Sequence, residues 1–176
     1  MIFRETPFIG LYLIELEHIE DERGYFARTF CSEEFSMRGL NPDIIQCNLS
    51  YNRKRGTIRG MHYQLSPHEE AKLVRCIRGA VYDVVIDLRP ASATYGEWYA
   101  IELNEQNRKM LYIPEGFAHG FQSLQDDTEV FYQMSRSYAA EAASGIRWND
   151  PSFQITWPLP CTVISIKDQN YSDYAL

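Results

Sequence analysis

The chain has 176 residues, 45% of them hydrophobic and 23% charged, a composition suited to one globular domain over residues 1–176 with a sizeable core. Its formal net charge is −7 and no basic run or stripe occurs, which argues against nucleic acid as a partner. No stretch approaches the roughly 18 apolar residues of a membrane span, the N-terminus lacks the basic-then-apolar layout of a signal peptide, and four widely spaced cysteines (Cys31, Cys47, Cys76, Cys161) show no metal or redox spacing; the expectation is a cytoplasmic protein with free thiols.

Short β-rich segments broken by Gly, Pro, Asn and Asp dominate the chain, the spacing of an all-β sandwich or barrel. Residues 9–17 read as a strand, 21–24 as a turn and 25–31 as a second strand. Residues 32–39 are the best helix candidate, with Ser32 placed to cap the start and Gly39 to end it. Residues 44–51 form a strand whose period of two puts Gln46, Asn48 and Ser50 on one face. Residues 57–64 form the next, and 72–88 a hairpin turning at 78–79. Residues 97–103 alternate before a turn at 104–107, and 109–113 run into Pro114, which ends a strand. Residues 118–124 and 128–138 read as two more strands, and the tail after Gly145 is irregular. The total is about eight to ten short strands with one or two short helices, which a jelly roll closes into two packed sheets.

Only four histidines are available, and His18 and His68 lie among charged residues that suit solvated positions. His62, in RGMHYQ, sits in a strand whose polar neighbours do not suit burial on both faces. Alternation puts His62 and Gln64 on one face and Arg59 on the other, so Arg59 and His62 share a pocket only if the strand bulges near Gly60. His119 follows a turn at Pro114 and Gly116 and precedes Gly120, where another backbone can approach closely. A metal-binding cupin strand presents two histidines one residue apart; here the second position is Gln64, which argues against a catalytic metal. Tyr132 shares a face with Val130 and Met134, and Lys72 with Val74 and Cys76. A polar group on an apolar face needs a partner, and a ligand pocket is one place to find it. Composition alone makes Asp168 an ordinary surface carboxylate. Arg23, Arg59 and Arg75 are the candidate anion binders, because no Gly-rich phosphate loop is present.

Taken in order, DERGYF (21–26), QCNLS (46–50), IRGMHYQ (58–64), KLVRCIRGAVYDVVIDLR (72–89), SATYGEW (92–98), YIPEGFAHGF (112–121), WNDP (148–151), WP (157–158) and SIKD (165–168) resemble the dTDP-4-dehydrorhamnose 3,5-epimerase family along nearly the whole chain. The resemblance implies a cupin-like jelly roll, or double-stranded β-helix, that forms a homodimer, needs no cofactor and acts on a nucleotide-linked 4-keto-6-deoxy sugar. It implies that His62 is the base, oriented by Asp168, that Tyr132 donates a proton from the opposite side and that Lys72 stabilises an enolate oxygen. It also implies that Arg23 and Arg59 hold a diphosphate, with Gln46, Asn48 and His119 lining the pocket. Two positions depart from the pattern: Arg28 and Ala143 stand where many members carry Glu. The nucleotide, the sugar and the choice between C3, C5 or both therefore stay open. A single-site epimerase and a non-catalytic sugar-binding cupin are the alternatives, and a metal-dependent cupin is a third. Residues 9–17, apolar on more than one face, suit an edge strand paired across a dimer interface.

Overall fold

Alternating segments closed by Gly, Asn and Pro fold into two antiparallel sheets laid face to face. The structure is a computed structural model and describes residues 1–175. In chain order the strands are β1 (Ile2–Glu5), β2 (Tyr12–Glu15), β3 (Ile19–Asp21), β4 (Gly24–Phe26), β5 (Gln46–Asn52), β6 (Ile58–Gln64) and β7 (Lys72–Arg78). They continue with β8 (Ala80–Asp87), β9 (Trp98–Asn104), β10 (Met110–Ile113), β11 (Phe117–Ser123), β12 (Thr128–Met134) and β13 (Ala143–Gly145). Helix α1 (Ser32–Ser36) follows β4, and α2 (Ile166–Gln169) lies near the C-terminus. One sheet has the order β1-β2-β10-β7-β12-β5, the other β13-β6-β11-β8-β9, and β3 pairs with β4 in a separate ribbon. From β5 onward every strand except β9 lies in the sheet opposite its predecessor. That winding is the double-stranded β-helix of a cupin-like jelly roll.

Alternation puts Val74, Cys76 and Val130 of the first sheet against Val81, Val85, Leu103 and Phe121 of the second, and this inner layer is buried almost completely. Two outer layers flank it. Phe35 of α1 packs with Ile14, Leu73, Met110 and Tyr112 on the back of the first sheet. The C-terminal stretch brings Phe153, Trp157 and Tyr174 to Met61, Val84, Ile86 and Ala118 on the back of the second. Both sheets are thus supported from behind, which holds the wall side chains facing between them at fixed positions.

Several sequence expectations change at their ends. The strand expected over 9–17 shortens to β2, because Gly10 turns the chain at φ +85 against Pro114. Strand β1 pairs with β2 and takes the sheet edge, so β2 lies between β1 and β10 and has no free edge to offer a partner. The strand expected over 25–31 ends at Phe26. Cys31, not Ser32, occupies the N-cap of α1 and makes no side-chain cap bond, while Gly39 at φ +69 closes the helix through its N–H to the Ser36 carbonyl. The strand expected over 128–138 stops at Met134, where Ser135 leaves the ladder to bond Ala71. All four cysteines are unpaired. Among the described residues no helix is long and apolar enough to cross a membrane.

Candidate active site between the two sheets

The sheets part at one end around a cavity of about 710 Å³. Gln46, Asn48 and Ser50 of β5, Lys72 of β7 and Tyr132 and Met134 of β12 line one wall. Arg59 and His62 of β6 and His119 of β11 line the other, and Lys167, Asp168 and Tyr171 of the C-terminal segment close a side. The period of two places Gln46, Asn48 and Ser50 together, as the sequence indicates. Gln46 Nε2 donates to Asn48 Oδ1 at 3.0 Å, so this row of amides is ordered before any ligand arrives.

Arg59 and His62 reach the same cavity because β6 bulges. Across the β6–β11 pairing, His119 faces His62 and Phe121 faces Arg59, so β6 carries one residue more than β11 over this interval. The extra length is taken up at Gly60, at φ +124, and Met61 turns into the outer core with no exposure. A Cβ on Gly60 would sit 2.5 Å from Gly120 Cα, and one on Gly120 would sit 2.6 Å from the Arg59 carbonyl oxygen. Two bare backbones meet there, and only glycine on both strands permits it. Arg59 is then braced by Asn52 Oδ1 at 2.7 Å and the Tyr51 carbonyl at 3.1 Å.

Asp168 is no surface carboxylate. It is 4% exposed, because α2 docks onto β6 and carries it inward. Ser165 caps α2 through Asp168 N–H, and Asp168 Oδ2 accepts the Gly60 N–H at 3.3 Å, tying the carboxylate to the bulge. Asp168 Oδ1 lies 2.7 Å from His62 Nε2. Burial alone pushes this carboxyl up, but the bonds from His62, the Gly60 amide and Ser165 outweigh it and hold the carboxyl below its usual range. An ionised Asp168 makes Nε2 the donor and leaves His62 Nδ1 as the acceptor available to the cavity. The carboxylate loses its charge only below the usual carboxylate range, so an acid limb in activity near neutrality does not report Asp168 itself. Replacing Asp168 with Asn removes the charge that balances an imidazolium. The expected result is a kcat/KM about 10–100-fold lower; an unchanged kcat/KM would count against the pairing.

Tyr132 stands on the other wall. Burial pushes its phenol above the usual value, with Arg59 partly opposing and Glu70 reinforcing the shift, so it is protonated and poised as a donor at neutral pH. Lys72 Nζ lies 2.8 Å from Glu70 and 3.4 Å from the His62 carbonyl. His119 Nε2 lies 3.0 Å from both oxygens of fully buried Asp83, a second His–carboxylate pair beside the first. Gln64, at the position of a second metal-binding histidine, has both ends of its amide engaged by backbone of His68 and Ala139.

Three arginines divide differently from the sequence reading. Arg59 lines the cavity, whereas half-buried Arg75 lies outside its wall. Arg23 is 85% exposed on the β3–β4 ribbon, bonded to Asp21, and does not reach the cavity of its own chain. Of the departures, Arg28 is exposed and pairs with Glu34, while Ala143 lines the cavity. His18 is exposed and stacked on Tyr25, whereas His68 is partly covered. Glu70, Asp83, Tyr138 and Tyr171 are the site residues that the sequence reading passes over. Glu70 falls outside the end of β7, where alternation gives no signal, whereas Tyr138 lies beyond the end of β12 although the expected strand ran through it.

A sequence profile of the dTDP-4-dehydrorhamnose 3,5-epimerase family matches residues 5–175. The dTDP-4-dehydrorhamnose 3,5-epimerase of Methanothermobacter thermautotrophicus is 45% identical over 172 residues, covering 96% of this chain and 92% of that one. Among solved structures, the enzyme of the same name from Elizabethkingia anophelis superposes with a TM-score of 0.95 at 38% identity, over 99% of this chain and 96% of that one. The one from Bacillus anthracis, solved with TDP and PPi bound, gives 0.94 at 36% identity over 98% and 99%.

Proposed function

On the premise that this chain belongs to the dTDP-4-dehydrorhamnose 3,5-epimerase family and is an isomerase, we propose that it epimerises dTDP-4-dehydro-6-deoxyglucose at C3 and C5 with side chains alone. The observation that carries this reading is the placement of a His62–Asp168 pair and a protonated Tyr132 on opposite walls of one cavity. The C4 ketone acidifies the C–H bonds on both neighbouring carbons, because the electron pair left behind delocalises onto the ketone oxygen. His62 Nδ1 takes the proton from one face. Lys72 stabilises the enolate oxygen, and Tyr132 returns a proton to the opposite face. His62 ends protonated and Tyr132 ionised, and exchange with solvent resets both. Arg59 binds the diphosphate, and Gln46, Asn48 and His119 contact the rest of the nucleotide sugar.

Arg23 joins the diphosphate site if two chains form a homodimer. The ribbon that carries it projects Ile19 and Phe26, at 68% and 70% exposure, and β5 presents Leu49 and Tyr51 on the outside of the first sheet. These surfaces take the interface role in place of residues 9–17. Four unpaired thiols suit the cytoplasm as the place of reaction.

The test is solvent-deuterium incorporation. The protein is incubated with dTDP-4-keto-6-deoxyglucose in D₂O containing EDTA, and C3 and C5 are followed by NMR, with light scattering on the same sample. Label at both carbons and a mass of two chains are the expected outcome. Label at one carbon would make the protein a single-site epimerase. No label, or label that disappears with EDTA, would overturn the reading.

A further inference from the structure

Lys72 and Glu70 form an ion pair on the cavity wall at 2.8 Å, with side chains only 10% and 4% exposed. Burying such a pair in place of apolar residues seldom favours folding, so its presence asks for another reason. The pair is also incompletely satisfied. Glu70 Oε2 is buried with no hydrogen-bond partner among the described residues, so Lys72 is what holds this carboxylate. Lys72 has three N–H donors, of which the His62 carbonyl engages one while the Glu70 carboxylate lies beside Nζ as an ion pair, so donor capacity remains for the cavity. The backbone beside Glu70 is fixed as well. Ala71 N–H donates to Ser135 Oγ at 2.8 Å and Ser135 N–H donates to the Ala71 carbonyl at 3.0 Å, locking the start of β7 to the end of β12, the strand of Tyr132.

We propose that Glu70 is a positioning residue of the reaction: its carboxylate holds the Lys72 ammonium against the cavity wall with one N–H directed at the oxygen that becomes the enolate. The inference rests on the reaction proposed above. An ammonium on four rotatable bonds reaches many places, and a fixed donor stabilises developing charge without reorganising during the step. Glu70 therefore acts on the rate of enolate formation rather than on nucleotide binding.

The experiment is a double-variant cycle of Glu70→Gln and Lys72→Met, read by deuterium exchange into dTDP-4-keto-6-deoxyglucose and by dTDP affinity. Glu70→Gln keeps the shape and removes the charge. The expected result is a kcat about 10–100-fold lower with KM and dTDP affinity within about threefold. In the Lys72→Met background the Glu70 change then has little further effect on kcat. Glu70→Asp, which keeps the charge but draws it back from Nζ, should recover only part of the rate, and it carries the test if Glu70→Gln does not fold. Full kcat in the Glu70 variants, or losses that multiply in the double variant, would overturn the inference while leaving the reaction standing. A parent protein without exchange would overturn the reaction and this inference with it.

Discussion

Replacing His62 with Asn is expected to suppress both proton exchange and inversion, whereas replacing Tyr132 with Phe is expected to suppress inversion and leave slower exchange behind. The difference follows from where each side chain stands. In the proposed reaction His62 removes the substrate proton, so without it no enolate would form and nothing would enter from solvent. In Tyr132→Phe the base is intact. His62 still takes a proton, exchanges it for deuterium and returns the label to the face it came from, because its ring opens to the cavity and its side chain is 44% exposed. The sugar becomes labelled without changing configuration. Each loss is expected at about 10²–10⁴-fold, the usual contribution of a positioned acid or base. NMR of the sugar in D₂O separates isotope from configuration in one spectrum. Inversion by Tyr132→Phe at the parent rate, or exchange by His62→Asn at the parent rate, would show that the two walls do not hold the acid and the base. A non-catalytic sugar-binding cupin predicts that neither variant changes the physiological activity.

The parts of the site legible in the sequence are those that local backbone geometry encodes. Gln46, Asn48 and Ser50 share a face because β5 has one side toward the cavity and the other exposed, the condition under which a period of two is visible. The bulge in β6 was also within reach, since Arg59 and His62 have opposite parity and Gly60 lies between them. Strands of three or four residues, such as β1, β3, β4 and β13, show too little alternation to be read. The partners of the two histidines are harder still. Asp83 sits in an apolar strand 36 residues before His119, and Asp168 is 106 residues after His62. Nothing local tells a carboxylate that it will be buried against a distant strand; α2 docking on β6 decides it. Resemblance to a family supplied Asp168, and nothing in the reading supplied Asp83 or Glu70. Arg23 stands apart: it is exposed on the β3–β4 ribbon outside the cavity of its own chain, and its part in the proposed diphosphate site requires the proposed homodimer.

The last expectation concerns the Gly60–Gly120 contact, which turns a strand irregularity into a site. Gly60→Ala should lower stability by about 3–5 kcal/mol, the sum of backbone strain and a collision that cannot relax. Gly24 provides the control within the same molecule. Its φ is +121 against +124 at Gly60, so an alanine is strained by a positive φ at either position. The added Cβ finds nothing within 4 Å at Gly24 but the Gly120 Cα at 2.5 Å and the His119 carbonyl oxygen at 2.9 Å at Gly60. Gly24→Ala should therefore cost only the strain, about 1–2 kcal/mol. In a chain of this length each kcal/mol moves Tm by about 2–4 °C, so thermal unfolding distinguishes the two variants. Equal losses of Tm would mean that β6 relaxes away from β11 without penalty. In that case the close approach would not be what aims Arg59 and His62 into one cavity. A Gly60→Ala protein that folds but has lost exchange would tie the bulge directly to the position of the base, since Gly60 N–H also holds the Asp168 carboxylate that orients it.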